Sequence, residues 1–116
     1  MPVIKCSTNV KLSNDQILTI KGKIGELISI IPEKSEAVTM LQINDEEKMF
    51  FGGKDVPCMY VKVDLFREAP YSCKAEFTEK VCEMITNASD IPVGNIYMTY
   101  REYPTWGAQG KLKGGK

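Results

Sequence analysis

The chain has 116 residues, with 15 basic side chains against 15 acidic ones and a hydrophobic fraction of 43%, which suits one soluble globular domain with a real core. Balanced charge and the lack of a basic run among aromatics leave no footprint for nucleic acid, and no apolar stretch approaches the length of a bilayer span. Histidine is absent, which removes Ser-His and Cys-His nucleophile pairs and most zinc sites.

In chain order the first notable residue is Pro2, directly behind Met1. Methionine is normally trimmed when its neighbour is as small as proline, leaving a secondary amine with no flexible side chain to order. An ordinary α-amino group titrates near about 7.7–8.0, and burial in an apolar pocket lowers that value. Pro2 is therefore a candidate general base for neutral pH. The segment from Met1 to Asn9 turns polar too soon for a signal peptide, so a cytoplasmic protein is expected. Cys6, Cys58, Cys73 and Cys82 form no Cys-x-x-Cys pair, and read as small buried hydrophobes rather than metal or redox groups.

Val3 to Val10 reads as a strand, with Val3, Ile4 and Cys6 ahead of a polar stop. Ser13 and Gln16 form a capping-box signature, and Ile17, Ile20, Ile24, Leu27, Ile28 and Ile31 then recur at helical spacing. Pro32 ends that helix. Val38 to Ile43 is a second strand, and Glu46 to Phe51 a short third stopped by Gly52-Gly53. Pro57 to Phe66 reads as a strand with β-branched Val61 and Val63. A helix follows near Pro70 to Ala88, with Cys73, Phe77, Val81, Met84 and Ile85 on one face, until Asp90-Ile91-Pro92 breaks it. Ile96 to Arg101 is a further strand. Residues 1–110 make a single domain, and the Gly- and Lys-rich residues 111–116 are expected to be a flexible basic tail.

The expected class is α+β. Two β-α-β repeats with right-handed crossovers give two parallel strand pairs, joined as a four-stranded mixed sheet with two helices on one face. The opposite face is left bare, and small domains cover such a face by packing sheet against sheet in an oligomer.

Several short motifs fall in a telling order. They are Met1-Pro2, Thr8-Asn9-Val10 after the first strand, Lys34 after the first helix, Phe51-Gly52-Gly53, Pro57-Cys58 four residues on, and Ile96-Tyr97 in the late strand. With these the chain resembles the tautomerase superfamily, and within it the macrophage migration inhibitory factor family, from Pro2 to about Gly107. The resemblance implies a homotrimer with active sites between subunits. It further implies cofactor-independent keto–enol tautomerisation of phenylpyruvate-like and dopachrome-like compounds, a class of small aromatic keto or enol acids. Position by position, Pro2 matches the base and Lys34 the lysine that binds the substrate carboxylate and depresses the amine pKa. Tyr97 and Thr99 match strand positions that reach a neighbouring subunit's pocket. Phe66 stands where the family has an isoleucine on the pocket wall, and Trp106 either walls the pocket or covers the trimer rim. No cofactor and no metal are expected.

The chain departs from the family in places. A Ser-Ile-Gly-Gly stretch is replaced by Leu65-Phe66-Arg67-Glu68, where Arg67 reads either as a second carboxylate anchor or as a plain surface arginine, an asparagine by Thr99, and the usual ending by Ala108-Gln109-Gly110 and the basic tail. Cys58 lacks a partner cysteine three residues on. Taken singly the site residues read more plainly: Lys34 beside Glu33 and Glu36 as a solvated loop lysine, Tyr97 as a sheet residue, Phe66 as core. Two further functions stay open. One is a secreted, cytokine-like ligand for a cell-surface receptor, exported by an unconventional route, with the pocket vestigial. The other is dehalogenase- or decarboxylase-type chemistry, for which Arg67, Glu68, Arg101 and Glu102 are the charged candidates.

Overall fold

A computed structural model describes residues 1–115. Strand β1, Pro2–Thr8, alternates buried Pro2, Ile4, Cys6 and Thr8 with more exposed Val3, Lys5 and Ser7. Helix α1, Asn14–Leu27, starts on the expected capping box: the Ser13 hydroxyl accepts from the Gln16 backbone N–H, and the Gln16 side chain accepts from the Ser13 N–H. The helix tightens into a 3-10 turn at Ile28–Ile30 before Pro32. Strand β2 is Met40–Asn44, strand β3 is Met59–Phe66, helix α2 is Tyr71–Ser89 and strand β4 is Ile96–Tyr103.

The sheet order is β2-β1-β3-β4, with β1 and β2 parallel, β1 and β3 antiparallel, and β3 and β4 parallel. Each β-α-β repeat thus gives one parallel pair, and the repeats meet at the antiparallel centre. Both helices lie on one face. Ile20, Ile24 and Ile28 from the first repeat, and Phe77, Val81 and Ile85 from the second, are buried with Ile4, Cys6, Val61, Val63 and Leu65 in one core. The opposite face, carrying Lys5, Tyr60, Tyr97, Thr99 and Arg101, is exposed.

Two sequence expectations fail. Residues 46–51 form no strand: only an isolated bridge joins Phe51 to Lys54 across Gly52-Gly53, both of which have positive φ. The segment instead wraps the end of β1. Its Glu47 and Glu46 N–H groups donate to the carbonyls of Thr8 (3.0 Å) and Val10 (3.2 Å). The Asn9 amide donates to Met49 O (3.0 Å) and Val56 O (2.7 Å) and accepts from the Cys58 N–H (3.0 Å). Those side-chain bonds satisfy backbone groups that a strand would have satisfied by pairing.

The tail is also not free chain. Thr105–Ala108 (β5) and Lys111–Gly114 (β6) form an antiparallel hairpin around Gln109-Gly110. Both turn residues have positive φ, +55° and +76°, the geometry that lets a two-residue loop match strand twist. Residues 111–114 are therefore ordered strand, and Lys116 lies outside the described residues. Strand β4 also runs to Tyr103 rather than stopping at Arg101.

Candidate active site

The N-terminus lies at the end of a central strand, where Pro2 pairs with Leu65 just before β3 ends at Phe66. The loop after α1 brings in Lys34. Its backbone N–H donates to Ile31 O (3.2 Å), and its ammonium donates to Phe66 O at 2.9 Å. Lys34 and the terminal amine, 33 residues apart in sequence, are thereby held side by side. The amine of Met1 is pushed down from 8.0 to about 6, first by burial, then by the charge of Lys34 and a hydrogen bond with it. Both causes disfavour the ammonium form.

Two clefts meet at Met1. One, of 440 Å³, is lined by Lys34, Phe66 and Arg67 together with Pro32, Ala69 and Pro70. The other, of 380 Å³, is lined by Pro2, Val3, Val38, Met40, Trp106 and the backbone that follows it. The first holds two cations, Lys34 and Arg67, and two carboxylates, Glu33 and Glu68, while the second is largely apolar. Phe66 walls the first cleft, with its ring centroid 6.4 Å from that of Trp106 in the second, which in turn lies 5.8 Å from Tyr103. Within one chain Trp106 lines the second cleft. A larger groove of 520 Å³ runs between α1 and the free edge of β2, but it shares no lining residue with these clefts.

Tyr97 and Thr99 are not in this site within one chain. Pro2 sits at the register of Leu65 and Glu102, so Tyr97 is five residues away along β4, about 16 Å at strand rise. It is 64% exposed on the face away from the helices and stacks edge-on against Phe51, with centroids 5.3 Å apart. The Thr99 hydroxyl lies 2.6 Å from the Tyr60 hydroxyl on the same open face.

The charged candidates separate in the same way. Arg67 and Glu68 line the cleft that holds Lys34, and Arg101 is on the open face opposite Asp64. Glu102 lies behind the cleft wall. Its carboxylate accepts from the Ala69 N–H (2.6 Å) and from Lys74 (3.1 and 3.2 Å). Its pKa is lowered, chiefly by the Ala69 N–H and also by Lys74, against an opposing effect of burial. Val38 and Met40, which sequence reasoning left unassigned, wall the apolar cleft; both are exposed, a weak signal by itself. Among the described residues no helix is long and apolar enough to cross a membrane.

The family model described as macrophage migration inhibitory factor (MIF) matches residues 1–112. No curated protein matches the sequence. Among solved structures, MIF2 of Leishmania major superposes with a TM-score of 0.90 at 24% identity, covering 97% of each chain. A macrophage migration inhibitory factor homologue from Prochlorococcus marinus gives 0.78 at 25% identity, covering 95% of this chain and 97% of its own. N1, a member of the cis-3-chloroacrylic acid dehalogenase family, gives 0.82 at 14% identity, covering 95% of this chain and 82% of its own. The fold thus hosts more than one chemistry, and the site residues must choose between them.

Proposed function

The chain belongs to the macrophage migration inhibitory factor family, and on that premise we propose that it is a cofactor-independent keto–enol tautomerase with Pro2 as its base once Met1 is removed. The observation that carries this reading is the position of Lys34 beside the N-terminus, where it and burial lower the Met1 amine to about 6. An amine at that value is about nine-tenths unprotonated at pH 7, against about one-tenth for one at 8.0. Trimming Met1 moves the amine by one residue, to the nitrogen of Pro2, which already borders the apolar cleft. Burial and the Lys34 charge act on that amine in the same sense.

In the keto-to-enol direction the proline nitrogen takes a proton from the carbon next to the substrate carbonyl. The electron pair becomes the carbon–carbon double bond, and the carbonyl oxygen, gaining negative charge, takes the proton back from the prolinium nitrogen, directly or through a water, so that it ends as a hydroxyl and the amine is free again. The reverse direction returns the proton to carbon. Lys34 pairs with the substrate carboxylate, and the wall of Val38, Met40 and Trp106 takes an aromatic ring, which suits a phenylpyruvate-type or dopachrome-type acid. Phe66 narrows the junction of the two clefts. Tyr97 and Thr99 serve the cleft of a neighbouring copy in a homotrimer, which accounts for their exposure in one chain. The test is enol–keto conversion of phenylpyruvate by protein whose N-terminus mass spectrometry shows to be Pro2. Turnover that is lost in Pro2→Gly supports the reading; equal rates in the two proteins overturn it.

Membership of the family also supports a second reading, a cytokine-like ligand for a cell-surface receptor that leaves an otherwise cytoplasmic location by an unconventional route. Receptor signalling kept in full by Pro2→Gly would favour that role independently of the chemistry.

A further inference from the structure

Two cations approach Phe66 from different sides. Lys34 donates to its carbonyl at 2.9 Å, and the Arg67 guanidinium sits 4.7 Å from the centre of its ring. Both line the same cleft beside the terminal amine. We propose that Arg67 is a second anion anchor of this cleft, so that the site takes 2-oxo acids carrying two carboxylates in preference to those carrying one. The choice of 2-oxo acids rests on the tautomerase reading above; the second anchor does not.

The backbone presents Arg67 deliberately. Its φ is +72°, a left-handed conformation that favours glycine and that a side-chain-bearing residue adopts only where its surroundings hold it. The Arg67 N–H donates to Tyr103 O at 2.7 Å, extending the β3–β4 ladder by one bond. Two residues on, Glu102 takes the Ala69 N–H and is itself held by Lys74. The segment is therefore pinned on both sides of Arg67. The ring of Phe66 supports the guanidinium by a cation–π contact.

No carboxylate among the described residues lies within 4.0 Å of Arg67 or of Lys34, although Glu33 and Glu68 also line the cleft. The guanidinium fork therefore remains free for a ligand. Its planar donors match a carboxylate in two parallel bonds, which gives both strength and direction. A monocarboxylate placed on Lys34 leaves Arg67 unused, and a second carboxylate employs it.

The probes are fumarate and crotonate, which share a four-carbon skeleton and differ by one carboxylate in place of a methyl group. Their affinities for the Pro2-terminated protein are measured by isothermal titration. Fumarate is expected to bind at least about 10-fold more tightly, the scale of a charge-assisted pair. Arg67→Gln should bring the two within about 2-fold while leaving crotonate almost unchanged, and Arg67→Lys should keep part of the gap. Equal affinities in the wild type, or a gap that persists in Arg67→Gln, would overturn the anchor. Phenylpyruvate turnover by the same wild-type sample is read separately. If it is absent while the fumarate preference depends on Arg67, the reaction fails and the dianion site stands.

Discussion

Under the helices, Ile4, Val61, Val63 and Leu65 are fully buried, whereas Lys5, Tyr60, Tyr97, Thr99 and Arg101 on the reverse of the same sheet stand in solvent. The first face is finished within one chain. Each side nonetheless keeps one shielded oxygen with no hydrogen-bond partner among the described residues, a carboxylate oxygen of Asp64 on the open face and Thr86 Oγ1 on helix α2, so the contrast rests on burial. The contrast teaches where stability and function reside. The core needs no partner, while the open face holds the two polar groups, Tyr97 and Thr99, that the proposed site takes from another copy.

The sharpest way to break this division is to disturb each part and look for the other's symptom. Phe77 is completely buried beneath the helices. Phe77→Ala is expected to cost about 3–5 kcal/mol of stability, a large share of the total for a domain of this size, as measured by urea unfolding. If that variant unfolds like the wild type, the core has been misplaced.

Lys34→Ala comes next. It removes the charge and hydrogen bond that help lower the Met1 amine, and the same charge is expected to lower the Pro2 amine of the trimmed protein. Activity depends on the unprotonated amine, so it rises with pH through the amine pKa, and that rise should move to higher pH in the variant. KM for a 2-oxo acid should also rise by about 10-fold, one charge-assisted contact's worth. A pH–rate profile that does not move would separate Lys34 from the base.

Glu102→Gln is expected to cost about 1–2 kcal/mol through the lost charge-assisted bonds to Ala69 and Lys74. The Glu102 pKa in the folded protein lies below its usual 4.5. Its contribution is therefore full above that value and is lost as pH falls through the folded pKa. Wild type and variant should converge in acid, as followed by unfolding at several pH values. A gap that stays constant down to strong acid would contradict the assignment.

The smallest effect on stability belongs to Tyr97→Ala, expected within about 0.5 kcal/mol because the side chain is mostly exposed. Its activity should nonetheless fall. Mixing it with Pro2→Gly protein under conditions that exchange subunits should recover activity above the sum of the two, because an intact Pro2 then faces an intact Tyr97. Absence of recovery would place Tyr97 outside the shared site.

Much of the covered face was legible in the sequence, because burial imposes a period. The isoleucines at helical spacing, the Ser13–Gln16 box and the alternation in β1 and β3 all express local rules. The misreadings fall where a side chain or a turn substitutes for periodic pairing. Glu46 to Phe51 ends in an apolar run, Met49-Phe50-Phe51, ahead of a Gly-Gly stop, yet Asn9 and the end of β1 take its hydrogen bonds. The final hairpin was hidden because lysines and glycines suggest mobility, while Gln109-Gly110 fits its turn only through positive φ. In the site, Pro2 and Lys34 were visible as motif residues. Their adjacency followed only from the family resemblance and not from spacing, since it depends on Lys34 finding the carbonyl of Phe66. Glu102 was likewise visible as a charge but not as the residue that pins the cleft wall.

The central claim is that the trimmed proline amine is the base, and one covalent difference tests it most directly. Phenylpyruvate enol conversion should be compared between protein verified by mass as starting at Pro2 and the same chain retaining Met1, whose Pro2 nitrogen is an amide without a basic lone pair. The account predicts that the Pro2-terminated form is faster by about 100-fold or more, the usual scale of a positioned general base. Equal rates in the two forms would contradict it.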